Sequence, residues 1–177
     1  MCLERLRGKG RIIAADLLEL DSRVTSAKQS DILRFIQGDL RAQATREAIE
    51  AALLDGPKKV DVVLSDMLAN TTGNKVADTE ASLELCNLVL ELSLKYMGQG
   101  AKNMGQSHGT TVMMVSEGGK LRHHGTMVVK ILQSQEADDW RRFTLQKHFK
   151  TVKVVKPEAS RKESIECYIV ARGLKEG

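Results

Sequence analysis

The sequence predicts an α/β fold with a largely parallel sheet, on three observations. Short β-branched runs alternate with stretches rich in Ala, Leu, Glu and Arg, the signature of βα units. At 177 residues the chain is long enough for one full core, so a single domain spanning 1–177 is expected. The last two strand-like runs are joined by a short connection, which predicts a final strand antiparallel to its neighbour.

Arg11–Leu18 reads as a first buried strand and Ile32–Ile36 as a second, ending in Gln-Gly-Asp at 37–39. Residues 41–54 read as a helix, supported by an Arg46/Glu50 pair one turn apart and stopped by Gly56-Pro57. Val60–Ser65 is a third strand, followed by a polar turn at 70–74. A long helix is expected from about Asp78 to Tyr96, with Leu85, Leu88, Val89 and Leu92 as its apolar stripe and Asp78 or Thr79 as its cap. Thr126–Leu132 is the next strand. A helix from about Glu136 follows, where Asp138 and Asp139 suit the positive N-terminal end and Trp140 and Phe143 face inward. Thr151–Val155 and Glu166–Ala171 close the chain.

Residues 97–123 interrupt this alternation with many glycines. Two similar segments, 108–115 and 124–131, compete for one strand position. Only the second carries a lysine, Lys130, so the strand is assigned there and 97–123 is read as an inserted flexible loop.

Composition narrows the function. Hydrophobic residues are 42% and charged residues 28%, ordinary for a globular protein, and no apolar run approaches the ~20 residues that cross a bilayer. The N-terminal segment shows neither a secretory h-region nor a recognisable transit peptide. Cys2, Cys86 and Cys167 share no metal-like or redox-like spacing, which fits a reducing compartment. A formal charge of +4 permits a polyanionic partner, while aromatics at 3% argue against a base-stacking platform. His123-His124 lack a third ligand at metal-binding spacing, so no metal is expected. Gly8-x-Gly10 precedes its strand and lacks a third glycine, which disfavours a nicotinamide enzyme.

Three charges sit at strand ends: Asp66 closes 60–66, Lys130 stands in 126–132, and Glu166 opens 166–173. Unpaired charge in a β-branched sheet is costly, so these are candidates for a working site. An Asp at a strand end also caps turns, and Glu166 could instead pair with Arg161 or Lys162. Lys147, Lys150, Lys153, Lys156, Arg161 and Lys162 form either a solvated face or a track for RNA phosphates.

In order, Leu-Ser-Asp-Met-Leu-Ala-Asn (64–70), Met-Val-Val-Lys-Ile-Leu-Gln (127–133) and Lys-Pro-Glu-Ala-Ser-Arg-Lys-Glu-Ser-Ile-Glu-Cys-Tyr-Ile-Val-Ala (156–171) resemble the FtsJ (RrmJ) family. These are S-adenosylmethionine-dependent 2'-O-ribose RNA methyltransferases, and 157–164 is most similar to their mitochondrial ribosomal-RNA branch. The resemblance implies a Rossmann-like methyltransferase sheet with helices on both faces. It implies a Lys-Asp-Lys-Glu tetrad in which Asp66, Lys130 as proton acceptor, and Glu166 match three members, with Glu163 the nearby alternative to Glu166. It implies S-adenosyl-L-methionine held by Asp16, Asp39 and Asp66, a large-subunit ribosomal RNA or pre-ribosomal partner, a monomer away from membranes, and the mitochondrial matrix, with cytoplasm as the alternative. The family's Asp-Met-Ala-Pro-Asn is here Asp66-Met67-Leu68-Ala69-Asn70. The family's first lysine and its glycine-rich loop, Asp-Leu-Gly-x-x-Pro-Gly-Gly-Trp, have no counterpart in the sequence. The expectation is therefore a sheet truncated at its N-terminal edge, lacking its central strand, and either a methyltransferase or an impaired remnant with residual RNA affinity.

Overall fold

The computed structural model describes residues 10–21, 32–54, 60–97, 111–115, 125–157 and 164–175. Among the described residues seven strands form one sheet: β1 (Arg11–Asp16), β2 (Leu33–Gln37), β3 (Val62–Ser65), β4 (Thr111–Val115), β5 (Thr126–Leu132), β6 (Phe149–Val155) and β7 (Glu166–Leu174), in the order β2-β1-β4-β3-β5-β7-β6. The helices are α1 (Gln43–Leu54), α2 (Lys75–Met97), α3 (Gln135–Trp140), a π-helical turn at Arg141–Leu145, and α4 (Gln146–His148). β1 and β2 are parallel, as are β3 and β5, and β7 runs antiparallel to both β5 and β6. The expected antiparallel final strand is present.

The expected gap at the centre of the sheet is absent. β4 occupies the position between β1 and β3 and runs antiparallel to both. Both similar segments contribute strands, and the one read as loop supplies the strand between β1 and β3. Its Thr-Val-Met-Met-Val composition is strand-forming, and a slot with unpaired backbone on each side rewards any such segment that reaches it. Residues 98–110 and 116–124 lie outside the described residues.

Register fixes which side chains share a face. Ile13, Val63, Met127, Ala171 and Val152 stand in one row, in register through the backbone of β4. Ile13, Val63, Met127 and Ala171 join Ile49, Leu85, Cys86, Leu88, Val89 and Trp140 in the main core, so α1, α2 and α3 pack on this face. Right-handed crossovers explain α1 and α3: α1 leads from β2 to β3 and α3 from β5 to β6, each in the same direction across the sheet to a parallel strand, whereas α2 leads from β3 back to the antiparallel β4. Ile12, Ala14, Leu64, Val128 and Val170 point to the opposite face. Residues 22–31, between β1 and β2, lie outside the described residues.

Several local expectations change. Asn74 caps α2, its Oδ1 accepting from the N–H of Val76 (3.1 Å) and Ala77 (3.4 Å). Asp78 instead reaches back to the preceding loop, accepting from Thr72 N (2.7 Å), Thr72 Oγ1 (2.8 Å) and Gly73 N (3.1 Å). Glu50 takes Lys95 and the Tyr96 hydroxyl of α2, and the Arg46 guanidinium binds the carbonyls of Leu40 and Arg41. Phe143 is 65% exposed, because the π-helical turn adds a residue between Trp140 and Leu145 and rotates position 143 outward.

Gly125 enters β5 at φ +72°, and a Cβ there would meet Met97 Sδ at 3.0 Å and Leu174 Cβ at 3.3 Å. Gly125→Ala is expected to lower stability by about 1–3 kcal/mol in urea titrations. Hydrogen bonds from the Thr72 backbone, opposed by burial and aided by the Thr72 hydroxyl and Gly73, hold the Asp78 carboxyl below its ordinary value. A lowered native value gives stability that is full above the ordinary carboxylate value and is lost as pH falls through the native one. The melting-temperature gap between wild type and Asp78→Asn should therefore close as pH is taken from about 6 to about 3.

Candidate active site

The row that follows Ala15, Thr111, Ser65 and Val129 brings Asp16, Asp66 and Lys130 to one edge, each a single residue further along its strand. This is the C-terminal edge of the parallel strands, where open α/β sheets bind ligands. Across β5 and β7, Lys130 stands opposite Tyr168, and Glu166 lies two residues from Tyr168 on the same face. Lys130 Nζ lies 2.8 Å from Asp66 Oδ1 and 3.6 Å from Glu166 Oε2. The three residues singled out from the sequence do meet.

They meet at the rim rather than in the interior. The Lys130 side chain is 17% exposed, that of Asp66 65% and that of Glu166 43%. Burial alone would push the Lys130 ammonium down. The hydrogen bond and charge of Asp66, with Tyr168 and Glu166, outweigh it and hold Lys130 above its ordinary value. The stability this pairing contributes is full below the ordinary lysine value and is lost as pH rises through the raised one. At neutral pH the site therefore holds an ammonium.

Sequence reasoning missed three supporting side chains. The Tyr168 hydroxyl donates to Asp66 Oδ1 at 2.6 Å, and Lys130 Nζ lies 5.8 Å from the centre of its ring. The spacing of two from Glu166 was the available signal, since it puts both on one face of a strand. From beneath, α2 ties down the end of β5: Cys86 Sγ donates to the Lys130 carbonyl at 3.4 Å, and Ser82 Oγ accepts from Leu132 N at 3.2 Å. Cys86 is fully buried, and burial together with Cys167 pushes its thiol up to about 12. It is inert packing, as is Cys167 at 2% exposure.

Asp16 and Asp39 lie at neighbouring strand ends. Asp16 Oδ1 accepts from Leu18 N and Asp39 Oδ1 from Arg41 N, each at 2.9 Å, so backbone turns orient both carboxylates. Fixed acceptors at one edge suit the hydroxyls and amine of a nucleoside. A cavity of about 340 Å3 lined by Ile131, Asp138, Arg141, Cys167 and Ile169 lies on the helix-covered face, away from Lys130 and Tyr168. No cluster of metal-ligating side chains exists among the described residues, and no helix among them is long and apolar enough to cross a membrane. Glu163, His123 and His124 lie outside the described residues.

Known proteins are similar to this chain in sequence and fold. A sequence profile described as FtsJ-like methyltransferase matches residues 1–174. Ribosomal RNA large subunit methyltransferase E from three strains of Acinetobacter baumannii (ATCC 17978, AYE and SDF) is 32% identical over 167 residues. The match takes in 94% of this chain and 62% of each relative, so the chain spans only part of their length. A crystal structure of a provisionally assigned ribosomal RNA methyltransferase from Plasmodium falciparum has the same fold, with a TM-score of 0.66 over 97% of this chain and 77% of that one, at 23% identity. A profile match over nearly the whole sequence, with a relative at 32% identity, makes the conclusion direct: the chain belongs to the FtsJ-like methyltransferase family.

Proposed function

We propose that this protein methylates a ribose 2'-hydroxyl in ribosomal RNA of the large subunit, using S-adenosyl-L-methionine. The observation that carries the reading is the Lys130–Asp66–Glu166 cluster at the C-terminal edge of the sheet. The donor set fits the cofactor's nucleoside: Asp16 and Asp39 are oriented acceptors for ribose hydroxyls and the adenine amine, and Asp66 borders the same edge. Bound there, S-adenosylmethionine supplies an electrophilic methyl group.

The protein's part is alignment and proton handling. Lys130 receives the 2'-hydroxyl and draws off or polarises its proton, while Asp66 and Glu166 orient the amine. A lysine held above its ordinary value is a poor base, so productive binding must weaken its hold on the proton. A second cation brought close to Lys130 would do this by repulsion. The basic residues Lys150 and Lys153 on β6, Lys156 just after it, and Arg172 on β7 offer contacts for RNA phosphates. By the resemblance of 157–164, its place is the mitochondrial matrix, with the cytoplasm as the alternative.

Calorimetric titration with S-adenosylmethionine should give a binding heat, and Asp39→Ala should weaken that binding about tenfold. With large-subunit ribosomal RNA and a labelled methyl donor, label should appear on ribose 2'-oxygens. Lys130→Ala should slow the transfer by about a hundredfold or more. Label found on bases, or transfer unchanged in Lys130→Ala, rules the reading out.

A further inference from the structure

We infer that Tyr168 is a positioning residue for Lys130 and acts through Asp66. One oxygen carries the argument. Asp66 Oδ1 accepts the Tyr168 hydroxyl at 2.6 Å and lies 2.8 Å from Lys130 Nζ. Asp66 sits one residue past the end of β3, with its side chain 65% exposed. An ion pair that exposed is weakly held, because water competes for both charges and each side chain loses freedom in pairing. A short hydrogen bond from a strand-borne phenol to a carboxylate is stronger and directional. Tyr168 is placed by seven register pairs between β5 and β7, so its hydroxyl is a fixed point to which the mobile carboxylate is tied.

Among the described residues, the groups set against the Lys130 ammonium come from β3 and β7. Asp66 comes from the end of β3, and Glu166 and Tyr168 come from β7. The Cys86 thiol of α2 meets the Lys130 carbonyl, on the other side of the sheet. Val155 of β6, opposite Tyr168, carries no charge. Of the two carboxylates Asp66 is nearer by 0.8 Å (3.6 against 2.8 Å), so its placement dominates what Lys130 feels. Freed from Tyr168, Asp66 spends less time against the ammonium, and burial of Lys130 then counts for more. The amine gives up its proton more readily, but without a partner to aim it. Two effects thus compete: loss of the tether lowers the proton affinity of Lys130, and loss of a competing donor on Oδ1 raises it. The second is a polarisation of one bond and is the smaller.

The kinetic consequence rests on the proposed methyl transfer; the titration does not. In the full chain with isotope-labelled lysine, the Lys130 Nζ signal is followed by NMR across its titration. Tyr168→Phe should lower the midpoint by about half a unit or more. Asp66→Asn should lower it at least as far, and adding Tyr168→Phe to Asp66→Asn should lower it by clearly less than Tyr168→Phe does alone, the remainder being the direct influence of Tyr168 on Lys130. A midpoint that stays or rises in Tyr168→Phe overturns the inference, as does a fall of equal size in the Asp66→Asn background, since a residue acting mainly through Asp66 needs Asp66. In the methylation assay, Tyr168→Phe should lower kcat with little change in KM for RNA and move the alkaline limb of the pH profile to lower pH. Absence of methyl transfer in the wild type would sink the functional proposal and leave the titration to decide the role of Tyr168.

Discussion

Between β1 and β3 there is room for one strand, and the hydrogen bonds that Thr111–Val115 makes to both turn two half-sheets into one. Without that strand β1 and β3 would stand roughly 10 Å apart, twice the usual spacing, each with a row of unpaired N–H and C=O groups. The working edge inherits its order from this contact. Asp16 belongs to one half-sheet, Asp66 and Lys130 to the other, and only the shared register through β4 puts them in a common row. β4 runs opposite to its neighbours, so it enters the sheet at Thr111, at the edge where the carboxylates lie.

Charge at that edge is balanced toward a protonated lysine. Partial burial opposes the ammonium, and two carboxylates and a phenol more than offset the opposition. Desolvation is the largest single influence on a side chain that keeps 17% of its surface in water, and it is the Asp66 hydrogen bond and charge together with Tyr168 and Glu166 that outweigh it. Holding the proton is therefore the resting condition. Any base chemistry has to be switched on by what binds. The support beneath is apolar and stiff: Ser82 and Cys86 on α2 fasten the backbone at residues 132 and 130, so the lysine's root does not wander while its head group changes partners.

Much of this was legible in the sequence, and the failures have physical causes. β5 was read over its full span, because an unbroken β-branched run between a glycine and a polar turn has one good conformation. The meeting of Asp66, Lys130 and Glu166 was legible too, through strand-end position and family resemblance together. β4 was not, since its two neighbours lie far away in sequence and the glycines around it read as loop. The cap of α2 was misplaced because Asn74 and Asp78 are both good capping residues, and only the loop at 72–73 decides that Asp78 serves it instead. Phe143 was put inside by a helical period that the π-helical turn breaks. Tyr168 stood in plain view beside Glu166, but its role is a hydrogen bond across 102 positions, which local pattern does not encode.

The position of β4 also bears on the order in which the molecule can be made. β1 is synthesised early and pairs with β2 almost at once, yet its other edge meets a strand about a hundred residues later. Until Val115 has left the ribosome, the early ribbon of β1 and β2 carries an open edge, and so does β3. Open edges pair readily with other chains. β4 thus closes the open edges of β1 and β3 together, linking a pair made before it to β5, β7 and β6, which are made after it.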